Sequence, residues 1–350
     1  MEIQLLPAEY GDAIIIKTMA EGKPFTIVVD GGPKGTSDEI AQIYKDLGHI
    51  DLMILTHFDE DHIMGLIKYV KLFREEQLPV DRFWCNCAQY IDIPNDTFIS
   101  AAGYENANTL AAYLRAQRLQ NPSFEWREDI QIGTSLTKGD LNLYVVSPSP
   151  EILTTLKEEY NTYIRKHPQI DEESKSTDIA SYRVEQDAKT TIDDLVKTDK
   201  PRSVNLWNKA SIAFLLIAEG KQILLTGDAD ADTIAGGLER IPEVELPIHL
   251  DLMKAAHHGS KNNISLNLLE HIRSNRFAFT TNGGIRNWYH PDRKTIALML
   301  RGKNRDMEKT VEFIFNYPLE KIESHTGVLM STEEKACENC ITKMQKEIKL

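Results

Sequence analysis

A dense run of metal-binding residue types follows directly on a short apolar segment near the start of the chain. Residues 52–56 read LMILT, and two histidines and three carboxylates occupy the next six positions, in His57-Phe58-Asp59-Glu60-Asp61-His62. A strand that ends in a turn lets alternate side chains converge, so these residues can approach two ions about 3.5 to 4 Å apart. A charged surface turn is the weaker interpretation, because it does not account for two histidines and three acids after a buried strand. The run therefore predicts a metal site at the end of a strand.

Strand patterns and helical patterns alternate around this run. Strand-like segments occur at residues 13–18 (AIIIKT), 25–30 (FTIVVD) and 52–56, and residues 63–76 carry apolar side chains at helical spacing. Further strands are expected at 136–146, 211–218, 221–230 and 276–284, and a further helix at 109–120. This alternation predicts an α/β fold in which helices cover layers of sheet. The helix after His62 would begin beside the ligand run, where its dipole favours anionic ligands.

A polar segment interrupts the strand-rich pattern between about residues 151 and 203. Because it is low in core residues, we interpret it as an exposed helical or partly disordered insertion. We expect residues 1–320 to form one domain with this interruption, and residues 321–350 to form a C-terminal extension that ends in a short charged helix. The insertion and the extension are the candidates for contact with a protein partner.

Composition narrows the functional class. The net charge of −13, from 40 Lys+Arg against 53 Asp+Glu, weighs against a dedicated nucleic-acid binder but leaves a nuclease open, because bound cations reverse the local field. Apolar runs stay far below the stretch of about 18 residues that a membrane span needs, and no signal-like segment follows Met1, so we expect a soluble cytoplasmic protein with no membrane partner. The four cysteines, in WCNC and CENC, are interpreted as buried residues rather than as a zinc site or disulfides.

The first metal motif and five further motifs, in the expected order, resemble those of the metallo-β-lactamase superfamily. THFDEDHIMG at 56–65 resembles its first metal motif, usually H-x-H-x-D-H, with Asp59 in place of the second histidine; this form is similar to ComEC-like hydrolase domains. The other matching segments are GDAIII with VVDGG, NKASIAF at 208–214, LLTGDADAD at 224–232, KAAHHGSKNNIS at 254–265 and RNWYHP at 286–291. The resemblance implies a four-layer αββα metallo-β-lactamase sandwich with metals at one edge of its two sheets. ComEC's membrane channel has no counterpart in these residues.

The resemblance also implies a ligand set. His57 and Asp59 would bind one ion, Asp61, His62 and one of His257 or His258 the other, and Asp228 would bridge them, while Asp30 would support the site. Adjacent residues on a strand point to opposite faces, so we expect one histidine of the 257–258 pair to bind metal and the other to orient substrate or pack. The superfamily's further histidine has no clear match, and His167 in the insertion is the remaining candidate.

The aspartate at position 59 changes the metal preference that we expect. A carboxylate makes the site harder and more anionic than an imidazole would, and Asp59, Asp61 and Asp228 all supply oxygen. We therefore expect two divalent ions, with Mn²⁺ first, Zn²⁺ second and Mg²⁺ as a further candidate.

Candidate catalytic and substrate-binding residues lie in the same motifs. Asp61 would orient the attacking water, and His290 and Lys261 would contact a phosphate oxygen or protonate the leaving group. The substrate-binding candidates are Ser260, Asn263, Asn287 and Tyr289. Basic residues are frequent around these motifs, at Lys254, Lys261, Arg286, Arg293 and Lys294, and Trp288 and Tyr289 could either stack on a base or pack their loop.

Three functions compete. The first is a metal-dependent phosphodiesterase or nuclease acting on single-stranded nucleic acid or a nucleotide, which the ComEC-like motifs favour. The second keeps the fold and hydrolyses an ester, lactone or thioester. The third is an effector or binding module of a multi-protein system, for example in defence, to which the insertion and the extension would contribute.

Overall fold

The computed structural model describes residues 1–86, 102–166, 190–197, 204–285 and 288–350. The sequence candidates His167, Arg286 and Asn287, and Cys87 of the WCNC motif, lie outside the described residues. None of the helices within these ranges is long and apolar enough to cross a membrane.

One sheet contains seven strands within the described residues. Its members are β1 (Glu2–Leu5), β2 (Ile14–Ala20), β3 (Lys23–Val29), β4 (Ile50–Ile54), β5 (Val80–Trp84), β6 (Glu125–Arg127) and β17 (Glu347–Lys349). Their spatial order is β17-β1-β2-β3-β4-β5-β6. Antiparallel pairing joins β17, β1, β2 and β3, and parallel pairing joins β3, β4, β5 and β6. Strand β4, which leads into the ligand run, is therefore covered by neighbours on both sides.

The second sheet contains eight strands in the same described ranges. They are β7 (Ser135–Lys138), β8 (Leu141–Ser147), β9 (Ala213–Ala218), β10 (Lys221–Leu225), β12 (Leu252–Lys254), β14 (Arg276–Phe279), β15 (Val311–Phe315) and β16 (Cys340–Met344). Their order is β16-β15-β14-β12-β10-β9-β8-β7. Two short strands, β11 (Ile248–Leu250) and β13 (Ile272–Ser274), pair with each other outside this sheet.

Helices cover the outer faces of both sheets. In chain order they are α1 (Ser37–Asp46), α2 (Glu60–Leu72), α3 (Ala102–Gln120), α4 (Pro150–Lys166), α5 (Ile192–Lys197), α6 (Leu206–Lys209), α7 (Ala231–Leu238), α8 (Leu266–His271), α9 (Arg293–Leu300), α10 (Leu319–Thr326) and α11 (Thr332–Cys337). The predicted helices after His62 and at 109–120, and the predicted hairpin at 136–146, correspond to α2, α3 and the β7–β8 pair, which confirms them.

Three apolar layers hold these elements together. Residues from both sheets, including Ile16, Phe25 and Phe214, form a core between the sheets. Helices α1, α2 and α3 pack on the outer face of the first sheet, and α7, α8 and α9 pack on the outer face of the second. Strands in the middle of such a sandwich are buried on both faces, which explains unbroken apolar runs such as Ile14-Ile15-Ile16. The architecture is a four-layer αββα sandwich, and it confirms the predicted fold class.

Two glycines allow α2 to approach the loop that follows β3. A Cβ on Gly65 would lie 2.1 Å from the carbonyl oxygen of Gly31, and a Cβ on Gly31 would lie 2.4 Å from the backbone nitrogen of Leu66. Any larger side chain at either position would push the helix away. The contact fixes the first turn of α2, which carries Asp61 and His62.

The ends of the polar insertion belong to the fold. Helix α4 buries Leu153 and Leu156 against the first sheet's helical layer, and α5 buries Ile192 and Leu195 against that of the second. Both ends of the segment are helical, as expected, but each helix also buries one apolar face, because apolar residues at helical spacing within a polar composition are enough to pack it. Residues 167–189 and 198–203 lie outside the described part of the chain.

The predicted short charged helix is present as α11, but the chain continues beyond it into strands that were not predicted. Residues at the end of the chain form β16, parallel to β15, and β17, antiparallel to β1. Each strand completes one edge of a sheet, and Ile348 in β17 is fully buried. Because pairing with strands far away in sequence decides this conformation, the local charge pattern of the segment does not reveal it.

Candidate metal centre

The ligand run extends from the end of β4 into the first turn of α2. Asp59 is the N-cap residue of α2, but its side chain makes no capping hydrogen bond. Its Oδ2 atom instead lies 3.4 Å from Nε2 of His57. Glu60, the remaining acid of the run, points elsewhere: its carboxylate accepts hydrogen bonds from the Tyr10 hydroxyl at 3.0 Å and the Lys34 backbone N–H at 2.8 Å. Glu60 therefore anchors the start of α2 and takes no part in the cluster.

Asp30 holds the two histidines of the run from behind. It is fully buried, and it accepts hydrogen bonds from the Thr56 N–H at 2.7 Å and the Thr56 hydroxyl at 2.8 Å. Its Oδ2 atom also lies 2.8 Å from Nδ1 of His62. Because the Thr56 hydroxyl donates to Asp30, its oxygen is free to accept from Nδ1 of His57, 3.1 Å away. Both imidazoles thus present Nε2 to the cluster.

Asp228 lies at the centre of the histidines. It follows β10 in the turn after Gly227, and its backbone N–H donates to the Ser211 hydroxyl at 3.0 Å. The distances from its Oδ2 atom to Nε2 are 3.9 Å for His57, 3.6 Å for His62 and 3.6 Å for His257. A single carboxylate oxygen therefore faces three imidazoles, which come from both halves of the chain.

The adjacent histidines do not lie on a strand, so the expectation that they face opposite sides is wrong. They follow β12 in a tight turn in which His257 and His258 have positive φ values of 48° and 55°. This left-handed conformation is costly for residues with a Cβ. It lets both side chains face the carboxylates, since Nε2 of His258 lies 3.3 Å from Oδ2 of Asp61.

Each of these two imidazoles is held through Nδ1. Nδ1 of His258 lies 2.8 Å from the carbonyl oxygen of Thr280 and 3.3 Å from Oδ1 of Asp12. A carbonyl oxygen only accepts, so Nδ1 of His258 donates to it. Nδ1 of His257 lies 3.2 Å from Oδ1 of Asn263 and 3.2 Å from Nδ2 of Asn208.

Charges within the cluster are strongly coupled. Burial alone would lower the pKa of His62, but Asp228, Asp61 and Asp30 outweigh it and raise the pKa well above its ordinary value. Burial would raise the pKa of Asp228, but His257 and His62 outweigh it and hold the pKa well below its usual range. These opposite shifts show that the cluster favours carboxylates in their ionised form with positive charge beside them.

The pKa values of His257 and His258 are shifted in opposite directions. Burial, with a contribution from His290, lowers the pKa of His257 to about 4 in spite of Asp228. Burial acts in the same direction on His258, but Asp12 and Asp61 outweigh it and raise its pKa to about 9. His257 is therefore neutral near pH 7 and offers an unprotonated nitrogen, whereas a cation that bound His258 would have to displace a proton from it.

The donor set fits divalent cations. Nε2 of His57, Nε2 of His62 and Oδ1 of Asp228 are buried and have no hydrogen-bond partner within the described residues. Two groups of donor atoms each lie within 4.8 Å of one another: His57, His62 and Asp228 in one, and Asp61, His62 and His258 in the other. Buried polar atoms without partners are costly unless something occupies the space between them. A mixed set of imidazole nitrogens and carboxylate oxygens is a cation-binding set.

A lysine and a histidine share a carboxylate beside the cluster. Asp292 is buried; its Oδ2 accepts from the Lys261 N–H at 2.9 Å and lies 3.4 Å from Nδ1 of His290, and its Oδ1 lies 3.6 Å from Nζ of Lys261. Burial would raise the pKa of Asp292, but His290 and Lys261 outweigh it and lower the pKa. The ring of His290 lies 5.2 Å from that of His257, which places this group next to the cluster.

The substrate-binding candidates occupy different positions. Asn263 is buried behind His257, and its Nδ2 atom donates to the Asp228 carbonyl at 2.8 Å. Ser260 is buried, and its hydroxyl accepts from the Asn262 N–H at 3.3 Å. The Tyr289 ring stacks on His325, with centroids 6.0 Å apart. The first two are thus placed to support the histidine turn, and Tyr289 packs its loop.

The expected basic surface does not form, because three of the five basic residues near the motifs are buried. Lys254 contacts Asp12, Arg293 pairs with Glu334, and Lys294 is 3% exposed. Lys261 is near the cluster, and Arg286 lies outside the described residues.

Four residues that position the histidines or Lys261 were not predicted from the sequence to do so. Asp12 reaches His258, Asn208 reaches His257, Thr280 supplies a carbonyl to His258, and Asp292 holds Lys261 and His290. Asp12 lies in the GDAIII motif beside Gly11, and Asn208 begins the NKASIAF motif before Ser211. These motif positions are what could have indicated a role at the site. Nothing in their spacing indicates which histidine each would meet.

A family model matches the part of the chain that carries the first half of this centre. The model is that of the metallo-beta-lactamase superfamily, and it covers residues 8–140. The match covers less than half of the chain, and it shows that these residues are similar to that superfamily. The match includes the run from His57 to His62, whereas Asp228 and the 257–258 pair lie beyond it. Members of this superfamily typically bind divalent metals, often Zn²⁺. The ComEC-like subtype remains a prediction.

Several solved structures are similar to this chain at low identity. The YhfI metallo-beta-lactamase fold protein from Bacillus subtilis has 8% identity and a TM-score of 0.39, with 99% of each chain covered. Zinc-bound PqqB from Methylobacterium extorquens has 11% identity and a TM-score of 0.41, with 100% of each chain covered. A diphosphatase from the PhnP family has 9% identity and a TM-score of 0.37, covering 97% of this chain and 84% of its own. No curated protein matches the sequence significantly. Identities of this size do not transfer any neighbour's activity to this chain.

Proposed function

We propose that the protein is a metal-dependent phosphodiesterase. The observation that carries this proposal is the pairing of an oxygen-rich cluster with a lysine and a histidine at its edge. Asp59, Asp61 and Asp228 face four imidazoles, and Lys261 and His290 share the Asp292 carboxylate beside them. An anionic substrate suits such a site, because cations in the cluster and at its edge would both attract it.

Two divalent cations, held by His57, Asp59, Asp61, His62, Asp228, His257 and His258, would polarise the phosphoryl oxygens and lower the pKa of water. The role of the protein is to position its own groups around the phosphorus. Asp61, whose side chain is 24% exposed, is accessible to the attacking water and orients it as an acceptor. Lys261 binds a non-bridging phosphoryl oxygen, and His290 gives a proton to the leaving oxygen.

Mn²⁺ is the metal that we propose first, with Zn²⁺ second and Mg²⁺ third. Three carboxylates make the cluster hard, and hard oxygen ligands favour Mn²⁺ and Mg²⁺, while the four imidazoles retain affinity for Zn²⁺.

The charge distribution favours a short substrate. A net charge of −13 does not steer a polyanion towards the protein. Lys254, Arg293 and Lys294 are buried and cannot follow a nucleic-acid backbone. We therefore place a nucleotide diester or a short single-stranded oligonucleotide ahead of long nucleic acid.

The test is hydrolysis by the purified protein loaded with Mn²⁺. The substrates are bis(p-nitrophenyl) phosphate, a cyclic dinucleotide and a labelled single-stranded oligonucleotide, with p-nitrophenyl acetate and a lactone as competitors for the ester and lactone alternative. We expect the diesters to turn over and His62→Ala to abolish activity. Turnover of the ester or lactone alone would replace the proposal, and so would absence of diester hydrolysis with Mn²⁺, Zn²⁺ and Mg²⁺.

A second variant tests the contact with phosphate. Lys261→Met removes the charge but keeps much of the stem, and we expect kcat/KM on the diester to fall roughly 10- to 100-fold, the size of a hydrogen bond to a charged group. Lys303→Met is the matched control, because Lys303 is 72% exposed and pairs with Glu270 elsewhere on the surface. Equal kinetics for both variants would remove Lys261 from the site.

A further inference from the structure

A buried ion pair joins the two sheets directly behind the metal centre. Lys254 ends β12 in the second sheet, and Asp12 precedes β2 in the first. The ammonium group contacts Oδ2 of Asp12, and the two side chains are 3% and 2% exposed. Removing two charges from water is expensive, and burial of this kind is weak evidence for a role in stability alone.

Asp12 divides its two oxygens between different partners. Oδ2 meets Lys254, whereas Oδ1 accepts a hydrogen bond from the Thr280 hydroxyl and lies 3.3 Å from Nδ1 of His258. Its backbone N–H also donates to the Asp61 carbonyl at 3.1 Å. This last contact needs Gly11, since a Cβ there would lie 2.0 Å from the same carbonyl oxygen. Asp12 therefore contacts two of the three residues that supply donors to one end of the cluster, Asp61 and His258.

The charges around the cluster balance with two cations present. Five carboxylates surround the imidazoles, namely Asp12, Asp30, Asp59, Asp61 and Asp228. The Lys254 ammonium offsets one of them, and two divalent cations would offset the other four. Without Lys254, Asp12 would remain a buried, uncompensated charge beside His258.

We propose that Lys254 and Asp12 form a positioning pair for His258 that sets the affinity of the Asp61–His62–His258 group for its cation. The pair fixes the Asp12 carboxylate, and the carboxylate together with the Thr280 carbonyl fixes the Nδ1 side of the ring. The Nε2 side is then held towards Asp61. Supports of this type change metal affinity by about 10- to 100-fold in other proteins. The inference rests on the metal centre of the proposed function but not on its substrate.

The double variant Asp12→Asn/Lys254→Met tests the pair, because it removes both charges together and leaves neither one buried alone. Mn²⁺ is titrated into the metal-free protein by calorimetry, which resolves the two binding steps. We expect one step to weaken by about 10- to 100-fold and the other to change much less. A pair with only a structural role would lower the stability of the metal-free protein and leave both affinities as in the wild type, and this result would overturn the proposal.

Two further variants secure the result. Arg276→Met/Glu312→Gln removes an ion pair between β14 and β15, with Nε 3.1 Å from the carboxylate, and should leave both Mn²⁺ affinities unchanged. Thr280→Val keeps the ion pair and the carbonyl but loses the hydroxyl that donates to Asp12. It serves if the double variant does not fold, and unchanged Mn²⁺ binding by this variant would contradict the proposal. Because binding of Mn²⁺ alone is measured, failure of the phosphodiesterase assays would not affect the outcome.

Discussion

Nδ1 of His62 lies 2.8 Å from Oδ2 of Asp30, and both side chains are completely shielded from solvent. The same carboxylate accepts two hydrogen bonds from Thr56. Asp30 therefore serves three donors, and an amide in its place would direct an N–H group at one or more of them.

Asp30→Asn should weaken both folding and metal binding. Asparagine tolerates the positive φ of 60° at this position, so the backbone is not the cause. We expect a loss of about 1 to 3 kcal/mol in the free energy of unfolding, from buried groups left without partners, and a fall in Mn²⁺ affinity of about 10- to 100-fold. Urea unfolding and calorimetric titration measure the two effects.

Asp51→Asn is the matched control. Asp51 lies at the opposite end of β4, where it accepts from the Thr26 N–H at 2.8 Å. It should leave Mn²⁺ affinity unchanged. If both variants weakened Mn²⁺ binding equally, the special role of Asp30 would be lost.

Asp59→His should move the metal preference from Mn²⁺ towards Zn²⁺. The change replaces a hard carboxylate by an imidazole and lowers the negative charge of the cluster. The measurement is the Mn:Zn ratio retained after loading metal-free protein from an equimolar mixture. Asp59→Asn, which removes charge without adding an imidazole, should weaken retention of both metals. An unchanged ratio in Asp59→His would contradict the argument that the carboxylate hardens the site.

Ile348→Ala should destabilise the protein strongly although it lies in the last strand. Ile348 is 0% exposed between the sheets, and truncation of a buried isoleucine costs about 2 to 5 kcal/mol. Ile341, in β16, is 38% exposed. Ile341→Ala is therefore the matched control, because it removes less buried apolar surface. Thermal unfolding should separate the two variants clearly. Equal losses would mean that β17 does not pack as described.

Glu128→Gln should stabilise the protein above neutral pH. Burial, partly opposed by Arg115 and Arg118, raises the pKa of Glu128 from 4.5 to about 7, and its Oε1 atom is buried without a partner in the described residues. The protonated form is favoured in the folded state, so its contribution to stability is complete below pH 4.5 and is lost as pH rises through about 7.

The measurement is the melting temperature of both proteins between pH 4 and pH 9. The melting temperatures of the variant and the wild type should be equal at pH 4, and that of the variant should be higher at pH 9. Glu125→Gln is the control, since Glu125 is 44% exposed and pairs with Arg82 at 3.0 Å. A gain that did not depend on pH would point to a cause other than ionisation.

Local patterns were sufficient for much of the fold and for one side of the centre. The apolar run before His57 predicts β4, and the helical spacing after His62 predicts α2, because period and burial go together in both elements. The structure brings Asp228 to this strand end, as expected from the motifs, and it brings both histidines of the 257–258 pair there although only one was expected. Their binding of metal remains a prediction.

Other features depend on contacts between distant residues. In the sequence, Lys254 is one of several basic residues near the site motifs, yet its charge is buried because Asp12, far away in sequence, lies opposite it. The strand conformation of residues 347–349 exists because β1 offers an edge. The turn at His257 requires two unfavourable φ values, which no propensity of histidine would predict.

The left-handed turn at His257 and His258 implies a conflict between stability and activity. Residues in such conformations cost about 1 to 3 kcal/mol each, and glycine would adopt them without strain. Selection for stability alone would thus favour glycines here and remove two imidazoles from the cluster. Two consecutive strained histidines are the mark of selection for what their side chains do, at the expense of the most stable chain.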